Sequence, residues 1–212
     1  MTTEATQRGS RKVIVKDSEV RSALHRKVLA EHHEEPDTLV LDELGLEHGT
    51  CRVDVAVING SIHGYEIKSD ADTLERLPFQ IEVYCRSLDK VTLVCGAAHR
   101  EKAEAIIPDW WGLKLAIGGP RRAVHFEDIR RPKLNRSIDA EAVATLLWSH
   151  EALALLQAAG AAKGMKGKSR AVLYRRLTEV MPLEQLRDQV RTCLKARTQW
   201  RSSAPPRRLC GG

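Results

Sequence analysis

The stretch RVDVAVINGSIHGYEIKSD, Arg52 to Asp70, decides which fold we predict for this chain. Two parts of it, 53–58 and 62–67, are rich in β-branched and other apolar residues, which pack well on the pleated surface of a sheet. The Asn59-Gly60 pair between them is typical of a hairpin turn. The stretch therefore predicts two neighbouring antiparallel strands.

Three charged residues lie inside these apolar strands. Successive strand residues point to opposite faces, so Glu66 and Lys68 share a face, and pairing of the strands can bring Asp54 close to Glu66. Two adjacent carboxylates repel each other unless a divalent cation such as Mg²⁺ or Mn²⁺ neutralises them. Lys68 would then stand beside the metal, where an ammonium can orient a water and stabilise charge on a phosphate. The alternative is a surface hairpin with a solvated cluster of ion pairs.

The elements around the hairpin predict a mixed α/β fold. A helix capped by Asp17 or Ser18 is expected, because Val20, Leu24 and Val28 then recur at helical spacing. A strand, TLVLDELGL, precedes the hairpin. After the hairpin, Asp72 and Glu75 are a candidate capping box, but Pro78 favours a helix that begins near it and runs FQIEVYCRSL. Three further strands are expected in KVTLVCG, GLKLAI and AVHFEDI, with a short helix in HREKAEAII.

Three motifs, RVDVAVI, GYEIKSD and FQIEVY, together resemble the signature of the PD-(D/E)XK nuclease superfamily. The resemblance implies a restriction-endonuclease-like mixed sheet flanked by helices, with Asp54, Glu66 and Lys68 as catalytic residues. It also implies that Asp54, Glu66 and the backbone carbonyl of Ile67 bind the metal. Val53 stands where the motif's proline would be, as in many members.

A further resemblance is to the RecB-like branch of this superfamily, which carries a Gln-x-x-x-Tyr motif that Gln80 and Tyr84 match. Four residues apart on a helix, both side chains can reach towards the active site and the nucleic acid. Members commonly contribute one more acidic residue from upstream, and Glu43 is the candidate for both a catalytic and a metal-binding role. Asp42, Glu47 and Glu19 compete with Glu43. Small bacterial proteins without an assigned biology are the most similar members.

The C-terminal third is basic and helical in pattern. One helix is expected over 139–160, then a Gly/Lys linker, and two shorter helices over 169–180 and 183–198. Arg76 and four residues of the basic segment are candidate contacts to nucleic acid, with a plain linker or solvated surface as the alternative; the four are Lys163, Lys166, Lys168 and Arg170.

Composition sets the remaining expectations. The chain has 212 residues and a formal net charge of +6, and its five cysteines have no zinc-binding or disulfide-framework spacing. No apolar run approaches the roughly 20 residues that span a bilayer, so we expect a cytoplasmic protein without a membrane partner. The expected organisation is a disordered tail over 1–14, a nuclease core over 15–132, a helical nucleic-acid- or partner-binding segment over 138–200, and a flexible tail over 201–212.

These observations predict a Mg²⁺-dependent deoxyribonuclease acting in defence against foreign DNA or in DNA repair or recombination. DNA as the substrate follows from the resemblance, and a homodimer and a protein partner from the same pathway stay open. The alternative is a non-catalytic nucleic-acid-binding or protein-interaction module on the same fold. A third reading is a helical interaction protein with the α/β part as its scaffold. Of the adjacent Trp110 and Trp111, one is expected to close the core rather than to stack on bases.

Overall fold

The computed structural model describes residues 14–197. The predicted tail 201–212 lies outside these residues, as does the predicted tail 1–14 apart from Ile14. No helix in the described range is long and apolar enough to cross a membrane.

Six strands form one mixed sheet in the order of the sequence. They are β1 (Leu39–Leu46), β2 (Cys51–Ile58), β3 (Ile62–Lys68), β4 (Lys90–Gly96), β5 (Gly112–Gly118) and β6 (Val124–Arg130). β1, β2 and β3 are antiparallel neighbours, β3, β4 and β5 run parallel, and β6 returns antiparallel to β5. The hairpin predicted around Asn59-Gly60 is confirmed, because Ile58 pairs with Ile62 and Val55 with Tyr65.

Eight helices of the described chain flank this sheet: α1 (Asp17–Lys27), α2 (Ala30–Glu34), α3 (Leu77–Ser87), α4 (Arg100–Ile106), α5 (Ala140–Ala144), α6 (Ser149–Ala158), α7 (Arg170–Val180) and α8 (Leu183–Ala196). The apolar stripe of α1, with Val20 and Leu24, packs on one sheet face against Val55, Val57 and Ile67. The helices α3 to α8 pack on the other side. The predicted α/β class, a mixed sheet flanked by helices, is confirmed.

The C-terminal helices share a core with the sheet. Leu156, Leu177 and Leu186 belong to the same buried cluster as the strand residues Leu93 and Leu113. Asp89, only 2% exposed, accepts hydrogen bonds from the Ile62 amide and from Arg187 of α8. Burial of these apolar side chains and of one ion pair therefore fixes the helical segment on the sheet.

Two local predictions are wrong. The single helix expected over 139–160 is two helices, because the chain turns at Thr145 and buries Leu146 and Leu147 in the core. Glu151 accepts a hydrogen bond from the Trp148 amide (2.7 Å) and so caps the second helix.

The second wrong prediction is the candidate capping box of Asp72 and Glu75, whereas the helix start that Pro78 indicates is confirmed. α3 begins at Leu77, and the Asp72 carboxylate instead accepts hydrogen bonds from the Ser69 amide (2.7 Å) and hydroxyl (2.6 Å). It thereby closes the turn that leaves β3. Of the two adjacent tryptophans, Trp111 is completely buried, which confirms that one of them closes the core.

Candidate active site

The antiparallel ladder between β2 and β3 ends at a fork, and the three charged residues of the opening stretch lie there. The last pair of the ladder is Val55 with Tyr65. Asp54, the residue before Val55, has no backbone partner on β3. Its side-chain Oδ2 instead accepts a hydrogen bond from the Ile67 amide (2.7 Å). The Asp54 side chain thus satisfies a strand amide that the neighbouring backbone does not reach.

A cavity of about 510 Å³ opens at this fork. Its walls include seven of the residues predicted as catalytic, metal-binding or nucleic-acid-binding: Glu43, Asp54, Glu66, Ile67, Lys68, Arg76 and Gln80. Tyr84 lies directly behind the wall and contacts Glu66. The predicted site residues of the α/β part therefore lie together in space.

Glu66 is the centre of the hydrogen-bond network. Its side chain is 2% exposed, its Oε1 accepts from Lys68 Nζ (2.6 Å) and Gln80 Nε2 (2.5 Å), and its Oε2 accepts from the Tyr84 hydroxyl (2.6 Å). Burial raises the pKa of Glu66, and the nearby negative charge of Asp54 raises it further, while Lys68 and Tyr84 oppose the shift. The two carboxylates are thus close enough to interact, as the strand pairing predicts.

Gln80 and Tyr84 orient Glu66 from α3. They are four residues apart and both buried, so both face the sheet. The Tyr84 hydroxyl also reaches the Arg52 carbonyl (2.7 Å), and burial together with Glu66 raises the pKa of Tyr84. The side-chain oxygen of Gln80 is buried and has no hydrogen-bond partner among the described residues. A buried acceptor without a donor is costly, and Gln80 is one of the residues that line the cavity beside Glu66.

Glu43 stands on β1 at the edge of the cavity with an unusual backbone. Its φ is 59°, in the left-handed region that non-glycine residues rarely adopt. Its carboxylate lies 3.5 Å from Arg21 Nη2. Backbone strain of this kind concentrates at functional sites and costs on the order of 1–3 kcal/mol. Of its competitors, Asp42 binds His25, Glu47 pairs with Arg86, and Glu19 pairs with Arg122, so none of these three lines the cavity.

Two residues of α1, Asp17 and Arg21, belong to the site although the sequence did not single them out for it. Arg21 donates to the Asp54 carbonyl (2.7 Å) and to Asp54 Oδ1 (2.8 Å). Burial raises the pKa of Asp17; Asp54 adds to this shift, whereas Arg21 opposes it. The available signal was spacing, because residues 17 and 21 are an i,i+4 pair beside the buried stripe of the helix.

The basic segment after residue 160 does not reach this cavity. Lys163, Lys166, Lys168 and Arg170 are all exposed, and none of them lines it. Arg76, by contrast, does line it. The predicted contact of the four residues with nucleic acid stays a prediction, now separate from the active-site cluster.

The donors at the fork fit a hard divalent cation such as Mg²⁺ in chemistry. Asp54 and Glu66 provide carboxylate oxygens, and Gln80, whose side-chain oxygen has no partner among the described residues, lines the same cavity. Among the described residues, no group of three or more His, Cys, Asp or Glu side chains could hold a metal ion. Mg²⁺ commonly keeps several waters and uses one or two carboxylates, so two such ligands suffice for it.

Fold and cavity together define a class: an α/β protein with a buried, hydrogen-bonded carboxylate beside a lysine at a fork in its sheet. The family described as Bacteriophage P4 protein cII matches residues 11–209, and the chain belongs to this family. Protein cII of Enterobacteria phage P4 is 41% identical over 59 residues, 28% of this chain and 22% of that protein. In this match the chain spans about a fifth of the relative's length.

Among solved structures, a protein of unknown function from Silicibacter pomeroyi is similar, with 20% identity and a TM-score of 0.40. That likeness covers 70% of this chain and 92% of the other.

Proposed function

We propose that this protein is a metal-dependent nuclease that hydrolyses phosphodiester bonds in DNA. The proposal includes a restriction-endonuclease-like core and membership in the PD-(D/E)XK superfamily. One observation supports it above the others: Asp54, Glu66 and Lys68 converge on one open cavity, with Glu66 buried and bound by Lys68, Gln80 and Tyr84. A polar cluster that served only to pair surface charges would gain nothing from burying a carboxylate, because burial costs desolvation energy.

Each residue of the cluster has a role in this proposal. Asp54 and Glu66 would hold Mg²⁺ or Mn²⁺, assisted by the carboxylates of Glu43 and Asp17 through water and by the Ile67 carbonyl. The bound cation would supply positive charge and acidify a bound water. Lys68, anchored on Glu66 at 2.6 Å, would orient the attacking water and stabilise charge on the phosphate.

Gln80 and Tyr84 act through Glu66 and are positioning residues. Their hydrogen bonds fix both carboxylate oxygens of Glu66 in one orientation. Two cations of the cavity wall, Arg52 and Arg76, offer contacts for the DNA phosphates on either side of the scissile bond. The pathway, whether defence against foreign DNA or repair and recombination, depends on which DNA structure this cavity accepts.

The test is cleavage of linear, circular, single-stranded and branched DNA in Mg²⁺, Mn²⁺ or EDTA, comparing Lys68→Ala with Lys114→Ala. Lys114 is a matched control, because both side chains are 12% exposed, both lie on strands, and both pair with a carboxylate. Lys114 lies outside the cavity. We expect metal-dependent cleavage that Lys68→Ala reduces at least about 100-fold and Lys114→Ala leaves intact. Equal loss in both variants, or cleavage in EDTA, contradicts the proposal.

One observation favours a non-catalytic binding module instead. Arg21 already neutralises Asp54, and carboxylates of Asp17, Glu43 and Asp42 lie within 3.9 Å of the same guanidinium. A site so compensated is stable without a metal ion. If the wild-type protein binds DNA equally well in Mg²⁺ and EDTA and cuts none of the substrates, the binding module replaces the nuclease.

A further inference from the structure

A second cavity, of about 460 Å³, lies beside Trp110 and shares no lining residue with the cavity at the fork. Its walls are Trp110, just before β5, and the consecutive residues 133–137, just after β6. The segment RRPKLNR is one of the most basic of the chain, and the proposed catalytic site leaves it unused.

The backbone of this segment is firmly held. The Lys133 amide donates to the Trp110 carbonyl (2.8 Å), and the Asn135 amide donates to the Asp89 carbonyl (2.8 Å). The buried Asn135 side chain donates to the Cys85 carbonyl (2.7 Å) and the Leu88 carbonyl (3.0 Å). A cavity wall held in this way binds a ligand without losing further backbone entropy.

Three of the four cations of the segment, Arg131, Lys133 and Arg136, have no counter-charge in the described part of the chain, whereas Arg130 pairs with Asp109. Lys133 and Arg136 are exposed, and neither side chain takes part in an ion pair or hydrogen bond with a described residue. The same is true of the neighbouring Arg131. No acidic residue lines the cavity. Clustered cations of this kind repel one another and attract phosphate groups.

Trp110 adds a fixed aromatic wall. Its side chain is half-buried, and its ring packs edge-on against Trp111, with 6.1 Å between the centroids and an interplanar angle of 70°. Trp111 is buried and stacks on Tyr84. The site thus combines an indole ring packed against Trp111 with two unpaired cations. Sites that bind unpaired nucleotides through base stacking and phosphate contacts have this composition.

We propose that this cavity binds an unpaired nucleotide of single-stranded DNA, with its base against Trp110 and the adjoining phosphates on Lys133 and Arg136. This inference rests on the proposed nucleic-acid substrate but not on hydrolysis. The two cavities are distinct, so the second one extends the contact between protein and DNA beyond the cleavage site. It also gives the protein a preference for DNA with an unpaired region.

The experiment is a titration of a fluorescently labelled short oligothymidylate with the full-length protein in EDTA, followed by anisotropy. Trp110→Leu removes the ring and should weaken binding by about 5-fold or more, whereas Trp110→Phe keeps a ring and should stay within about 2-fold of wild type. The double variant Lys133→Gln/Arg136→Gln should lower the slope of log K against log salt by about 1.4, about 0.7 for each lost phosphate contact.

Trp148→Leu is the matched aromatic control, because Trp148 is 44% exposed and lies outside the cavity. It should bind like wild type. The proposal is overturned if Trp110→Leu binds like wild type, if Trp148→Leu loses as much affinity, or if Trp110→Phe loses as much as Trp110→Leu. A loss in the double variant without any loss in Trp110→Leu would mean that the cations bind phosphates without base stacking, which also overturns the proposal.

The same titration separates this inference from the nuclease proposal, because EDTA removes the metal. A protein that shows the Trp110-dependent binding but no cleavage in Mg²⁺ or Mn²⁺ keeps the binding site and loses the nuclease. If instead the protein cleaves DNA and Trp110→Leu binds oligothymidylate normally, the nuclease proposal stands and the proposed binding site is rejected.

Discussion

Replacing Arg21 by methionine tests whether the guanidinium stands where a divalent cation would act. Arg21 is 21% exposed and makes two charge-assisted hydrogen bonds to Asp54. Each such bond contributes about 1.5–3 kcal/mol to stability. Because Asp54 itself is partly exposed and can be hydrated in the variant, we expect a net loss of about 2–3 kcal/mol in the free energy of unfolding.

The loss should depend on divalent cations. Without Arg21, the carboxylates of Asp17, Glu43 and Asp54 face one another without their shared counter-charge. We expect Mn²⁺ to bind the native state of the variant more tightly than that of the wild type, since no guanidinium competes for Asp54 Oδ1. A cation at about 100 times its Kd stabilises the native state by about 2.7 kcal/mol, which would restore most of the loss.

The assay is urea unfolding with EDTA or with Mn²⁺, together with direct Mn²⁺ titration by calorimetry. Arg86→Met is the control, because Arg86 also bridges two carboxylates but is 48% exposed, so its loss should cost no more than about 1 kcal/mol. Arg21→Met should be less stable than Arg86→Met in EDTA and should gain more from Mn²⁺. Equal stability of the two variants in EDTA, or equal Mn²⁺ affinity of Arg21→Met and wild type, would refute the reasoning.

Three further predictions concern the scaffold. Asp89→Asn removes the buried partner of Arg187 and leaves it only the exposed Glu184, so it should lower the free energy of unfolding by about 3 kcal/mol or more in urea titrations. No change would mean that the ion pair does not hold α8. Burial alone would raise the pKa of Glu151, but hydrogen bonds from Arg197 and from the Trp148 amide hold it below its usual value of 4.5. The resulting stability is present above that value and is lost as pH falls through the lower folded-state pKa, so the difference between wild type and Glu151→Gln should shrink in acid unfolding curves. Gly64→Ala would place a methyl group 2.7 Å from a Leu88 methyl in the core and should cost about 1–3 kcal/mol in thermal unfolding, whereas an unchanged Tm would show that the core can yield.

Much of the fold is encoded locally and was predictable. The hairpin follows from β-branched runs on either side of Asn59-Gly60, and α1 follows from the spacing of Val20 and Leu24. The helix break at Thr145 is different, because nothing in the local pattern of 139–160 opposes a continuous helix. The helix breaks there because Leu146 and Leu147 must reach a core that distant strands form.

The charged residues of the candidate site likewise fall into two groups, those that the sequence indicates and those that only the fold brings to the site. Glu66 and Lys68 stand out from the sequence because charges in an apolar strand are unusual and residues two apart share a face. Arg21 does not stand out, since an arginine on an amphipathic helix is ordinary. Its role arises only because α1 packs across the sheet and brings it within 2.8 Å of Asp54, 33 residues away in the chain.

The sequence by itself determined the strands, the mixed α/β class and the expected grouping of Asp54, Glu66 and Lys68, because these depend on strand alternation and pairing within one chain segment. Gln80 and Tyr84 were singled out by their resemblance to the Gln-x-x-x-Tyr motif. Only the tertiary structure decided that the ladder opens at Asp54, that Arg21 and Asp17 join the site, and that Trp110 meets the basic segment at 133–137. Those features depend on contacts between segments far apart in the chain. Such contacts form because burial and charge pairing stabilise them in the folded state, and a local sequence pattern does not predict them.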